Sequence, residues 1–259
     1  ASGAQAFFHV AENGTLAYLR DSELESDAQV MWSARDGAES ATSIRKGKIR
    51  DVTLSHDGRL AALTIFDRVS DIWLHDFARG TTIRLTTAKA AAFNPIFSAD
   101  GRYVYYTNES PSWDIWRVPV DGSAPPSEVL TSPLDKHPSS VGPDGLLWFR
   151  ESGAAGTRLR VLDPARPGEV RTVLEFASSD FNGRLSPDGR WFAYHAAATL
   201  GGTPDVFVVR ADGTGRQQLS ASGGRAPRFV REGREILYFT GDSVMAVPFD
   251  PATGDAGIA

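Results

Sequence analysis

The sequence predicts an all-β fold, a six-bladed β-propeller of four-stranded antiparallel blades, and three observations carry that prediction. A tetrapeptide ending in glycine recurs along the chain as Ala-Glu-Asn-Gly, Ser-His-Asp-Gly, Ser-Ala-Asp-Gly, Gly-Pro-Asp-Gly, Ser-Pro-Asp-Gly and Val-Arg-Glu-Gly, closing at Gly14, Gly58, Gly101, Gly145, Gly189 and Gly233. Successive anchors lie 44, 43, 44, 44 and 44 residues apart, so six units account for all 259 residues. Each unit reads as four short runs with turn signals between them, and no stretch holds a 3.6-residue apolar period long enough to compete. Four strands repeating every 40 to 45 residues is the pattern of propeller blades. One domain is expected over residues 1–259, with blades beginning near 5, 49, 92, 136, 180 and 224.

Within a unit the first strand is short and apolar, as in Asn94-Pro95-Ile96-Phe97, and stops at the Asp-Gly turn. Glycine accepts the positive φ that such a hairpin turn needs. The second strand alternates, as in Arg102-Tyr103-Val104-Tyr105-Tyr106. An Asp-apolar-aromatic signature opens the third strand at Asp71-Ile72-Trp73, Asp114-Ile115-Trp116 and Asp205-Val206-Phe207, and a second turn follows at Asp36-Gly37, Asp121-Gly122 and Asp212-Gly213. The fourth strand carries a regular leucine: Leu85, Leu130, Leu174, Leu219. Most of the 6 Trp, 6 Tyr and 14 Phe fall on second and third strands, where facing blades need bulk to fill a wedge, so Trp73, Trp116 and Phe207 are read as blade core.

Composition bounds the chemistry. Hydrophobic residues make up 41% and charged residues 23%, enough apolar content for a globular core. With 27 Lys and Arg against 32 Asp and Glu, the net charge of −5 argues against nucleic-acid binding, which draws its affinity from basic residues facing phosphates. The absence of Cys removes disulfides, thiolate metal sites and a cysteine nucleophile. No apolar run approaches the roughly 18 residues of a membrane-spanning helix, so direct membrane insertion is not expected.

Apolar-Ser-Pro-Asp-Gly-Arg, an aromatic strand, Asp-Ile-Trp and a Leu-Thr ending together resemble the WD40-like repeat of TolB-type propellers, most closely over Leu185 to Tyr194 and Phe97 to Tyr106. Gly145 and Gly233 lie in more distant copies, the second with Glu232 in place of Asp. A shorter match, Asn13 to Tyr18 with Val30-Met31-Trp32, and Met245 to Asp250, is similar to propeller regions attached to some bacterial serine/threonine kinases. The resemblance implies a scaffold for protein contact or sensing, periplasmic or extracytoplasmic, acting as a monomer on a protein partner. Similar propellers also gate prolyl-oligopeptidase-type peptidases and host a few lyases, which keeps a gating or substrate-binding role, and a small ligand, as the alternative. Unit six ends in Val244 to Phe249, the turn Pro251 to Gly254 and the stub Asp255 to Ala259, so its fourth strand is expected to be missing or barely begun and the chain to be part of a longer protein.

Candidate binding residues follow from the repeat. The Asp-Gly turns are stereotyped and the opposite loop face varies, which makes the variable face the better recognition surface. Seven residues before each anchor stand Phe7, Asp51, Asn94, Pro138, Asn182 and Ala226, preceded by Arg50, His137 and Arg225 in their units. This ring is read as lining a channel mouth able to meet an anion or a peptide terminus, or else as Asp and Asn capping loops through nearby backbone. Arg184 and Arg228, two positions later, are expected to point into the channel. Trp113, in the loop from Asn108, is divided between core and partner anchor, and the acidic loop Asp21 to Asp27 between a solvated loop and a contact.

Enzyme motifs fail throughout. There is no Gly-x-Ser-x-Gly elbow, and Gly241-Asp242-Ser243 reads as a turn. His9, His56, His75, His137 and His195 show no metal-ligand spacing, and no phosphate loop or Asp-x-Asp-x-Asp-Gly calcium loop is present. Arg45, Lys46, Lys48 and Arg50 read as a solvated connection. Neither catalytic residues nor a metal or other cofactor are expected.

Overall fold

The structure, a computed structural model, describes residues 8–10, 16–20, 27–34, 36–87, 90–109, 112–176, 181–197, 199, 201–241 and 243–257. Phe7, the first anchor Gly14, the acidic loop as far as residue 26, Asp242 and residues 258–259 lie outside the described residues. Among the described residues every sheet pair is antiparallel and no helix is present, so none is long and apolar enough to cross a membrane. The fold is a six-bladed β-propeller, with three blades in each of two compact units, 1–132 and 133–259.

In the first unit, blade one is β1 (Phe8–Val10), β2 (Leu16–Arg20), β3 (Gln29–Ser33) and β4 (Glu39–Ala41). Blade two is β5 (Ile49–Leu54), β6 (Leu60–Phe66), β7 (Ser70–Asp76) and β8 (Thr81–Arg84); blade three is β9 (Ala92–Phe97), β10 (Tyr103–Glu109), β11 (Trp113–Pro119) and β12 (Ser127–Leu130). In the second unit, blade four is β13 (Asp135–Val141), β14 (Leu147–Gly153), β15 (Gly156–Leu162) and β16 (Val170–Phe176). Blade five is β17 (Phe181–Leu185), β18 (Trp191–Ala196), β19 (Asp205–Arg210) and β20 (Gln217–Gln218). Among the described residues blade six has three strands, β21 (Arg225–Val230), β22 (Glu235–Thr240) and β23 (Ser243–Pro248), followed by an isolated bridge from Phe249 to Ala256.

Second strands are mainly apolar where both of their faces are covered. On β6, Ala61 and Leu63 pack toward blade one with Val30, Ile44 and Val52, whereas Ala62 packs toward blade three with Ile72, Val104 and Tyr106. On β18, Phe192 and Tyr194 meet Trp148 and Leu159 of blade four, and Trp191 and Ala193 meet Ile236 and Phe249 of blade six. The side-chain period of two thus splits one strand between two neighbours. Trp73, Trp116 and Phe207 each pack against these clusters as blade core.

The Asp-Gly turns owe their uniformity to one hydrogen-bond circuit. In blade three, Ser98 Oγ donates to Asp100 Oδ1 (2.6 Å) and accepts from Tyr103 N–H (2.9 Å), Asp100 Oδ1 accepts from Arg102 N–H (3.1 Å), and Gly101 closes the turn at φ 68°. Ser55 with Asp57 and Ser186 with Asp188 repeat it. Ser98 and then Arg102 hold the Asp100 carboxyl down to about 2. Blade six departs from this: with Glu232 in place of Asp, Arg231 and Glu232 both adopt left-handed φ, 53° and 58°.

Third-strand aspartates are clips. Asp71 accepts from Thr86 Oγ1 (2.8 Å) and Arg84 Nη2 (2.5 Å), and Asp205 accepts from Ser220 Oγ (2.8 Å) and Gly223 N–H (3.1 Å), so each ties its strand to the chain leaving the blade. Leu130 and Leu174 lie in their fourth strands. Leu85 and Leu219 fall one residue beyond β8 and β20, where their N–H groups donate to Ile72 O and Val206 O at 2.8 Å.

Candidate functional site

Of the candidate row, Asp51, Asn94, Pro138, Asn182 and Ala226 lie inside the first strands of their blades. Four of its positions sit at β-bulges, where an extra residue re-aims side chains: pairing shifts between Ile49 and Asp51, opposite Tyr105 and Thr107, between Pro138 and Ser140, and between Arg225 and Arg228. The short sequence repeat marks the position but carries no signal for a bulge.

In the first unit the row is built around Asp51. Its Oδ2 accepts from Thr64 Oγ1 (3.1 Å) on β6 and from the N–H of Asn94 (3.3 Å) on the next blade. Asn94 holds φ 52°, a left-handed conformation that asparagine tolerates better than most residues. The carboxylate therefore secures the bulge of the neighbouring first strand. Arg50, half-buried, donates to its neighbour's carbonyl, Ile49 O (3.3 Å). Trp113 opens β11 and stacks on Phe93 at 5.6 Å and 28°, half-buried, so its ring face is engaged within the blade.

In the second unit β17 runs between β13 and β21. Its alternation buries Phe181, Gly183 and Leu185 and leaves Asn182 and Arg184 on the opposite, half-exposed face. Gly183 makes this possible: a Cβ there would stand 2.4 Å from Phe192 Cε1 and 2.7 Å from Ala193 O. Arg184 Nη1 donates to Gly183 O (3.0 Å) and to Asn182 Oδ1 (3.3 Å). Arg228, on β21, is 7% exposed and donates to Pro227 O (2.8 Å). Burial, and then the charge of Arg184, hold its guanidinium well below the usual range, so the two arginines act on one another. Arg225 is exposed at the start of β21.

His137 and Arg228, read as lining the channel mouth and pointing into the channel, are both buried. Burial, with Arg150 and Lys136 nearby, pushes the His137 imidazole down to about 3, so it is neutral at physiological pH. The structure thus brings Asn182, Arg184 and Arg228 together, sets His137 beside Arg150, and couples Asp51 to Asn94. Sequence reasoning missed His195, whose Nδ1 accepts from the N–H of Ala226 (3.0 Å), the left-handed residue (φ 51°) at the repeat position of Asn94. Its signal is the repeat itself, because His195 and Thr64 both stand six residues after their anchors. Among the described residues no group of acidic and histidine side chains is placed to hold a metal ion.

No model of a known protein family matches the chain. A relative, an uncharacterized protein of Agrobacterium fabrum, is 31% identical over 147 residues, covering 50% of this chain and 48% of that protein. Among solved structures, TolB from Acinetobacter baumannii superposes with a TM-score of 0.71 at 16% identity, covering 85% of this chain and 55% of TolB. A puromycin-hydrolyzing peptidase of Mycobacterium tuberculosis gives 0.67 at 18% identity, covering 98% of this chain and 45% of the peptidase. The chain spans about half the length of these proteins, and the structural likenesses show a shared propeller fold.

Proposed function

We propose that this TolB-like propeller is a binding scaffold, extracytoplasmic and monomeric, that engages an acidic segment of a protein partner through the first strands of residues 133–259. One observation carries the reading. Five residues before the anchor, the first four blades carry His9, Thr53, Ile96 and Ser140, but the last two carry Arg184 and Arg228. The fold is built without a guanidinium at this position in four of its blades, so the two arginines serve something besides the blade. Arg184 is half-exposed and Arg225 exposed, and both are accessible to a carboxylate; the buried Arg228, whose guanidinium interacts with that of Arg184, adds positive potential in a site of low dielectric.

Binding of a fluorescent oligoglutamate peptide, read by anisotropy at low and high salt, tests this. The expected result is salt-sensitive binding that Arg184→Ser with Arg225→Ser weakens at least tenfold while thermal unfolding is unchanged. Equal binding by the variant would defeat the reading, and collapse of the fold would make the arginines structural. A second reading, a propeller that gates or feeds an enzyme, draws on the peptidase neighbour, which aligns with nearly the whole of this chain. An α/β-hydrolase segment adjoining the chain in its full gene product would favour it.

A further inference from the structure

In blade two a histidine occupies a position that the fold fills with valine. His75 on β7 pairs with Ala61, as Val118 pairs with Val104 and Val209 with Phe192 in blades three and five, and all three are buried. A fully buried imidazole at an apolar position of the repeat is a local departure that packing alone does not call for. Both of its nitrogens are held. Nδ1 lies 2.8 Å from Thr82 Oγ1, directly across on β8, and Nε2 lies 2.8 Å from Ser43 Oγ. The ring edge meets Phe77 at 4.8 Å and 72°.

Ser43 itself is exposed and its backbone is pinned on both sides. Thr42 N–H donates to Val30 O (3.1 Å), Thr42 Oγ1 accepts from Ile44 N–H (3.2 Å), and Ile44 is buried with its carbonyl accepting from Gln29 Nε2 (3.0 Å). A hydroxyl on an exposed residue, a base within hydrogen-bond reach and a third group orienting that base form the arrangement that activates a serine. Burial also keeps His75 below its ordinary 6.5, and therefore neutral and able to accept a proton near pH 7.

We propose that Ser43 is an acyl-accepting nucleophile toward small esters, with His75 as general base and Thr82 as positioning residue, a function separate from the arginine row. The Ser43 proton passes to His75 Nε2 as Oγ bonds the ester carbonyl carbon. The tetrahedral intermediate then collapses, the bond to the leaving alkoxide breaks, and the alkoxide takes the proton from Nε2. Water repeats the sequence on the acyl-serine and releases the carboxylic acid.

Incubating the chain with p-nitrophenyl acetate and mapping acetylated peptides by mass tests the assignment. Ser43 should be acetylated about 100-fold faster than the exposed Ser123 and Ser127, the lower end of what a positioned base contributes. Ser43→Ala should abolish the fast phase, and Thr82→Val should slow it about tenfold without moving the melting temperature. Acetylation of Ser43 at the rate of Ser123, or a fast phase that survives Ser43→Ala, overturns the proposal. An unchanged rate in Thr82→Val removes the oriented base and overturns it equally.

Discussion

The first strands of residues 1–132 and 133–259 solve one backbone problem with different chemistry. Asn94 and Ala226 stand at the same repeat position with the same left-handed φ, and each N–H is taken up by the blade before it. In blade two the acceptor is a carboxylate, Asp51; in blade five it is an imidazole, His195. The bulge is a property of the blade, while the group that secures it is free to vary. That freedom lets the later blades carry Arg184 and Arg228 where the earlier ones carry Thr53 and Ile96.

The largest expected difference between the two regions comes from backbone spacing. Val52 occupies in blade two the position of Gly183 in blade five, so a side chain is accommodated in one and excluded in the other. Gly183→Ala would drive a methyl into Ala193 O and the Phe192 ring and should lower stability by about 3 kcal/mol, read from urea unfolding. A loss within a few tenths of a kcal/mol would mean that β17 shifts freely and that its tight seat on β18 does not aim Arg184.

Acid sharpens the comparison next, since Arg50 stands in the first unit where His137 stands in the second. The folded imidazole is held at about 3 against an ordinary 6.5. Above 6.5 both states are neutral; as pH falls below it, the unfolded chain binds a proton that the folded chain refuses. Stability is therefore present above 6.5 and drains away toward 3, by about 2 kcal/mol between pH 7 and pH 5 from this group. His137→Asn should remove that component from the pH dependence of urea unfolding. An unaltered pH dependence would show that His137 is not the group responsible.

The smallest effect separates Asn94 from Ala226. Alanine at positive φ is strained by about 1 kcal/mol, so Ala226→Asn should stabilise by about that amount, and Asn94→Ala should destabilise by a similar one. Opposite signs in thermal unfolding check this; equal signs would show that the two bulges are not equivalent.

Much of the fold was legible because a propeller repeats. Gly58, Gly101, Gly145 and Gly189 all adopt the positive φ that Asp-Gly implies, and the aromatic run of β10 follows from burial on both faces. Glu232 shows where legibility fades. The turn survives there with left-handed Arg231 and Glu232 because flanking strand pairing, from Val230 to Glu235, holds it closed. The candidate row was legible as positions but not as environments. Arg228 and Arg225 lie three residues apart on one strand, yet the first is buried and the second exposed, because Arg225 stands at the strand's start and Arg228 within it, a difference no residue type announces. Ser43 and His75 are 32 residues apart and belong to different repeats, so no spacing rule joins them.

By itself the sequence determined the number of blades and the turn chemistry, since these depend on local periodicity and on what glycine and aspartate do within four residues. Only the tertiary structure decided which polar groups meet. Asp51 reaches Asn94, His195 reaches Ala226, and His75 reaches Ser43 across blade boundaries, and those contacts depend on how sheets stack, which is set by side-chain volume summed over whole faces and not by any short pattern of residues.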